Sequence, residues 1–188
     1  MTDVDELTPG DLTPAAHRIL AAASDLFYEH GIHAVGVDTI AAASGVTKRT
    51  LYDRFGSKDA LIVTFLRARH ASWWDRLERR LEAAETPRAL AVFDAYELDA
   101  PSIGRGCGFL NAAAELPRDH PGHAVVRAHK RAVRDRLEDL VREDRPGLDA
   151  GATADHLFLL LEGGTAHRGL DGGRLLRAAR ETARRLLV

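Results

Sequence analysis

Residues 37–55 read VDTIAAASGVTKRTLYDRF, two short runs with apolar faces joined at one glycine. Val37, Ile40 and Ala41 recur at helical spacing, and Gly45 stands where a helix ends in the left-handed conformation that glycine adopts without steric cost. Thr47 follows as a hydroxyl cap for a second helix, whose Leu51, Tyr52 and Phe55 offer a side for burial. Helices this short are marginal in water on their own, so the pair has to lean on neighbouring helices. The arrangement predicts helix, tight turn, helix, seated on a larger helical body.

The flanking sequence supplies that body. Thr13-Pro14 is a favourable cap and first-turn pair, opening a helix to about Glu29 with Ile19, Ala23, Leu26 and Phe27 as its stripe and Gly31 as its stop. Gly56-Ser57 breaks the helix that Thr47 begins, and Ser57 starts a fourth that extends from Lys58 to about Glu85, before Pro87. Five further helices are expected over about 87–99, 106–116, 122–144, 151–168 and 172–187. The expected fold is all-α with about nine helices. Residues 1–12 read as a flexible acidic arm, 13–58 as a helix-turn-helix domain, and 59–188 as a C-terminal helical domain for ligand binding and dimerisation.

Composition excludes several alternatives. Hydrophobic residues make up 45% of 188, enough for compact domains with their own cores, and the Ala, Leu, Arg and Glu content favours helix over strand. The formal net charge of −2 offers a polyanion no overall positive field, so any nucleic-acid surface must be local. One cysteine, Cys107, excludes an internal disulfide framework and suits a reducing compartment. The acidic beginning lacks the basic start and apolar run of a secretory signal, and no stretch approaches the roughly 18 apolar residues of a membrane span. The protein is expected to be soluble and cytoplasmic.

Local charge is where the chain departs from balance. Across residues 46–58, Lys48, Arg49, Arg54 and Lys58 outweigh the single Asp53. A helix N-terminus presents free backbone N–H groups and a partial positive charge to a phosphate, and the Thr47 hydroxyl faces the same anion. Lys48 and Arg49 fall on the first turn, which a helix entering a major groove presents to base edges and phosphates, while Lys58 reaches phosphate beside the groove. The grouping is that of a helix-turn-helix DNA reader.

Over residues 18–62, RILAAASDLFYEHGIHAVGVDTIAAASGVTKRTLYDRFGSKDALI, the chain resembles the DNA-binding domain of the tetracycline-repressor (TetR) family of transcriptional regulators. The distinctive part is IA..SGV....LY..F.SK..L, a spaced set of core, turn and phosphate-contact positions. The resemblance implies that Thr47, Tyr52 and Lys58 touch the DNA backbone, and that Lys48, Arg49, Thr50 and Arg54 lie along the groove-facing side of the recognition helix. It also implies a homodimer built from the C-terminal helices, a small-molecule effector in the same domain, and a fourth helix that moves on release from the operator. Two positions differ from the family pattern. Gly36 stands where the family has a Thr or Ser that caps the second helix and binds phosphate. Asp53 on the recognition helix either accepts from a cytosine amino group or pairs with Arg49 one turn earlier, the pairing being preferred.

The C-terminal region carries weaker signals. Trp73, Trp74, Phe93, Tyr96 and Phe109 either line an apolar cavity or serve as plain core. RGCGFLNAAAEL, which resembles the sixth helix of a subset of the TetR family, sets Cys107, Asn111 and Glu115 four residues apart on one expected helix. Trp73, Phe93, Tyr96, Cys107, Phe109, Asn111 and Glu115 form the candidate ligand-binding set. Cys107 is read as a buried core thiol, since a redox role needs a cation beside it, for which Arg105 is the sequence candidate. His120, His123, His129 and Glu115 are metal-capable types, but there is no HExxH and no paired CxxC, so no metal site is assigned. Gly163, Gly164 and Ala166, with Leu157, Leu160, Leu161, Leu175, Leu176 and Leu186, serve a dimer surface or an internal core, and the resemblance favours the dimer. The rival class, a small helical enzyme or metal protein, finds no phosphate-cradling glycine loop and no GxSxG, and no cofactor is expected.

Overall fold

In the computed structural model, residues 12–99 and 105–188 are described, and structural statements below concern these; of the acidic arm expected over 1–12, all but Leu12 lies outside them. The chain forms ten helices, with no strand among the described residues: α1 (Pro14–His30), α2 (Val37–Ser44), α3 (Lys48–Phe55), α4 (Lys58–Glu82), α5 (Ala89–Leu98), α6 (Gly108–Glu115), α7 (Gly122–Asp144), α8 (Ala150–Ala166), α9 (Arg168–Asp171) and α10 (Arg174–Leu186). The all-α expectation holds.

The helix beyond the expected nine is the single turn α9, which occupies the break expected between 168 and 172. Gly172 and Gly173, at φ +63° and +80°, carry the chain out of that turn. The Asp171 carboxylate accepts the Gly173 and Leu175 N–H groups, each at 2.9 Å, and so starts α10 anew. Elsewhere the expected caps at Thr13 and Ser57 are present: Thr13 Oγ1 accepts the Ala16 N–H and Ser57 Oγ that of Ala60. Asp149 Oδ1 caps α8 by accepting the Ala152 N–H. Helix α5 begins at Ala89 and not at 87, because the Arg88 backbone N–H and guanidinium are both bound by Asp144, at 2.7 and 2.6 Å.

The chain divides into two compact units. The first comprises residues 12–71 with 108–128, and so includes α1, α2, α3, the first half of α4, α6 and the start of α7. Ile19 and Phe27 of α1, Ile40 of α2, Leu51 of α3, Leu61 and Phe65 of α4, and Phe109 and Ala112 of α6 are all buried. Phe27 and Phe65 meet edge to face at 5.4 Å.

The second unit takes residues 72–107 and 129–188. Its core runs through Trp73, Leu77 and Leu81 of α4, Val92, Phe93 and Tyr96 of α5, Val133, Leu137, Leu140 and Val141 of α7, Leu157 and Leu161 of α8, and Leu176, Ala179 and Ala183 of α10. Helices α8 and α10 approach closely because Gly164 has no side chain: a Cβ there would lie 2.7 Å from Leu176 Cα and 3.1 Å from Leu176 N. Leu157, Leu161 and Leu176 are thereby spent on the unit's own core. Leu159 (69% exposed) and Leu186 (41%) remain outside it.

Candidate nucleic-acid interface

The turn between α2 and α3 is built from local bonds. Ser44 Oγ donates back to the Ile40 carbonyl at 2.7 Å, and Gly45, at φ +65°, turns the chain so that Val46 N–H reaches the Ala41 carbonyl at 3.1 Å. Thr47 Oγ1 then accepts the Thr50 N–H at 3.1 Å, and the two hydroxyls lie 2.9 Å apart. Of the side expected for burial only Leu51 is fully enclosed, at 0% exposure; Phe55 is half-buried and Tyr52 is 41% exposed. One well-placed leucine contributes on the order of 2 kcal/mol on burial, and it fixes which face of α3 points outward.

That outward face carries the predicted contacts. The Arg49 side chain is 91% exposed, with Nε 3.9 Å from Asp53 Oδ2, so Asp53 sits with Arg49 in the preferred pairing. Arg54 is exposed and has no ion-pair partner among the described residues. Lys48 Nζ reaches across to Asp38 of α2 at 3.0–3.1 Å. Exposed pairs of this kind contribute little, so a phosphate can displace either carboxylate. Thr47 is exposed and Thr50 half-buried.

Lys58 differs from the rest. Its ammonium donates to the Ile32 carbonyl at 2.8 Å, in the connection between α1 and α2. Burial holds it below the usual lysine pKa, against the opposing pull of Asp59 and Glu115. An ammonium has three donors, so two remain for a phosphate. At Gly36, the N-cap of α2, no side chain caps the helix, and a Cβ would meet nothing within 4 Å.

The candidate ligand set divides between the two units. In the second, Trp73 meets Tyr96 edge to face at 5.1 Å and His129 at 5.3 Å, while Phe93 is core. Cys107 is buried and lies one residue before α6, not on it. A cation beside it comes from α7: Lys130 Nζ stands 3.4 Å from the sulfur, 2.7 Å from Glu162 and 5.6 Å over the Tyr96 ring. In the first unit, Phe109 is core, whereas Asn111 and Glu115 line a cavity with Phe27, Tyr28, Ile32, Phe65, Gly108 and Ala112. Its accessible volume is about 10 Å³, room for at most one water. Glu115 Oε2 accepts the His33 backbone N–H at 2.9 Å.

His129 and Lys130 reach the aromatic pair from α7, and Glu162 of α8 holds Lys130; no local spacing in sequence signals that meeting. Of the metal-capable histidines, His120 uses Nδ1 to accept the Gly122 N–H at 2.9 Å, and His123 faces the Leu116 and Pro117 carbonyls. No group of three metal-capable side chains is present among the described residues, and no described helix is long and apolar enough to cross a membrane.

A capped recognition helix with exposed cations, braced by two neighbouring helices, defines a helix-turn-helix DNA-binding protein. Residues 19–64 match the family model for bacterial regulatory proteins of the tetR family. The crystal structure of SCO4454, a TetR-family transcriptional regulator from Streptomyces coelicolor, is 31% identical with a TM-score of 0.83, over 92% of this chain and 94% of that one. The transcriptional activator FasR of Mycolicibacterium smegmatis is 45% identical over 145 residues, covering 71% of this chain and 61% of FasR. E. coli NemR, at 20% identity over 92% of this chain and 96% of that one, shares the fold with a TM-score of 0.78. The chain spans between 43% and 61% of the length of the curated relatives it matches. The chain belongs to the TetR family of transcriptional regulators.

Proposed function

We propose that this regulator is a homodimeric repressor that binds a roughly palindromic operator and leaves it when a small molecule binds the C-terminal helices. The observation that carries the DNA part is the outward face of α3: a capped N-terminus at Thr47 with Lys48, Arg49 and Arg54 projecting from a rod held by Leu51. On this reading Thr47, Tyr52 and the two unused donors of Lys58 take backbone phosphates. Lys48, Arg49, Thr50 and Arg54 follow the groove.

Dimerisation is supported by the apolar surface that α8 and α10 leave outside their own core. His156, Leu159, Leu160, Thr182 and Leu186 line a recess of about 450 Å³ there. A second copy laid over it by a two-fold axis makes a four-helix contact, and a dimer that reads a palindromic operator needs its recognition helices one helical turn of DNA apart, about 34 Å. The effector reading is supported by Trp73, Tyr96 and His129 packed beside Lys130 and Cys107, a buried mixture of aromatic and polar groups in one place. Whatever binds must favour the DNA-incompetent arrangement, since equal affinity for both shifts nothing.

A second reading has a specific support. FasR, 45% identical over the matched stretch, is described as an activator, so the same DNA contacts here serve recruitment of polymerase where the site lies upstream of the promoter. Selection of bound sequences from random duplexes, followed by transcription in vitro from the selected site, separates the two. In the same binding assay Arg49→Ala is expected to weaken the selected site about tenfold or more, the cost of one groove contact. Wild-type affinity for that variant removes α3 as the reading helix.

A further inference from the structure

Of three consecutive residues between α1 and α2, the first closes α1 and the next two are held by other helices. Gly31, at φ +90°, closes α1 by donating to the Phe27 carbonyl at 3.0 Å. Ile32 gives its carbonyl to Lys58 of α4 at 2.8 Å. His33 gives its N–H to Glu115 of α6 at 2.9 Å, across 82 residues of sequence. The carboxylate is so close that a Cβ on Gly31 would lie 2.8 and 2.9 Å from its two oxygens. The φ of Gly31 favours glycine, and a Cβ there would push the Glu115 carboxylate aside from His33.

This connection decides where α2 starts, and α2 carries the turn that sets α3. Lys58 is supplied by the next helix in sequence, but Glu115 comes from α6, which the chain enters directly from Cys107 of the second unit. An N–H···O bond spans about 2.7–3.2 Å, so a displacement of α6 by about 1 Å strains the bond to His33 and pulls on the connection or on the Glu115 side chain. The cavity beside Glu115 has no space for an effector, which leaves the carboxylate a mechanical task.

We infer that Glu115 is a positioning residue for DNA recognition: its bond to the His33 amide lets α6 set the seat of α2 and α3. This rests on the reading that α3 binds operator DNA, and the test separates the two. Hydrogen exchange at the His33 amide and affinity for the selected duplex are measured for the full-length protein and for Glu115→Ala and Glu115→Gln. Glu115→Ala is expected to exchange at His33 at least about tenfold faster and to bind DNA about 5- to 20-fold more weakly, with the slope of affinity against salt unchanged because no phosphate contact is lost. Glu115→Gln keeps an acceptor oxygen and is expected to stay within about threefold of wild type in both measurements. Should Glu115→Ala not fold, Glu115→Met keeps the bulk without the acceptor and carries the same test.

Unchanged exchange at His33, or faster exchange with wild-type DNA affinity, overturns the positioning role. A reduced salt slope overturns it too, by making Glu115 part of the DNA contact itself. If the wild type binds no duplex, the DNA reading fails, and the positioning role built on it is overturned; exchange at His33 then decides only whether the bond to Glu115 exists.

Discussion

Gly163 and Gly164 are neighbours on α8, and the same substitution is expected to move stability in opposite directions at the two. In a helix interior, alanine is favoured over glycine by about 0.8–1 kcal/mol, since glycine surrenders more backbone freedom. At Gly163 a Cβ meets nothing within 4 Å, so Gly163→Ala collects that gain. At Gly164 the new Cβ would stand 2.7 Å from Leu176 Cα, about 1 Å inside an ordinary carbon contact. The obstacle is the backbone of α10 and not a side chain that can rotate away, so the helices must part by a comparable distance. Overpacking of this sort costs about 1–3 kcal/mol, and the loosened contact between Leu161 and Leu176 adds to it, so a net loss of about 1–2 kcal/mol remains after the propensity gain. Urea unfolding of both variants at one fixed protein concentration measures this, the concentration being held because association of copies adds to apparent stability. Gly164→Ala at or above wild-type stability would refute the claim that absence of a side chain sets the distance between α8 and α10.

Gly36→Ser places a hydroxyl at the empty cap of α2, where φ is −82° and there is open space; it is expected to stabilise by a few tenths of a kcal/mol in thermal melts and to tighten DNA binding at low salt. Asp144→Asn breaks a largely buried pair with Arg88 and is expected to cost about 3 kcal/mol by chemical denaturation. Burial opposes ionisation of Asp144, but the Arg88 hydrogen bonds outweigh it and hold the carboxyl below its usual range. The wild type therefore keeps this stabilisation above about pH 4 and loses it as pH falls through the lowered value, a limb that Asp144→Asn lacks. His70, 1% exposed, has its pKa pushed down by burial to about 4. Unfolded histidine takes its proton near pH 6.5, so stability should fall between about pH 6.5 and 4, by on the order of 2 kcal/mol after allowance for solvent relaxation, and His70→Leu should flatten that slope.

The DNA-reading end was legible because its determinants are local. Ser44, Gly45, Thr47 and Leu51 lie within eight residues, and the cap, the turn and the buried side each follow from spacing along one short stretch. What sequence spacing misjudged was burial: Tyr52 shares the apolar side of Leu51 and Phe55 but lies on the rim, 41% exposed. The line of Cys107, Asn111 and Glu115 was visible, but α6 begins only at Gly108, so Cys107 joins Lys130 while Glu115 joins His33. Period along a helix says which residues share a face; it says nothing about which distant segment that face meets. The single turn α9 was hidden for a related reason, since its separation from α10 depends on two successive positive-φ glycines and the grip of Asp171.

The first unit draws its described residues from two stretches of chain, 12–71 and 108–128, and this governs how such a regulator can be cut and rejoined. A hybrid that takes its reading head from this protein and the rest from a relative has a natural-looking seam after α3. Here that seam would leave Phe109, Ala112 and Leu116 to be replaced by foreign side chains under Phe27 and Phe65, and Gly31 facing a stranger in place of Glu115. A working graft must transplant residues 108–128 along with the reading head, as a second insert in the recipient chain.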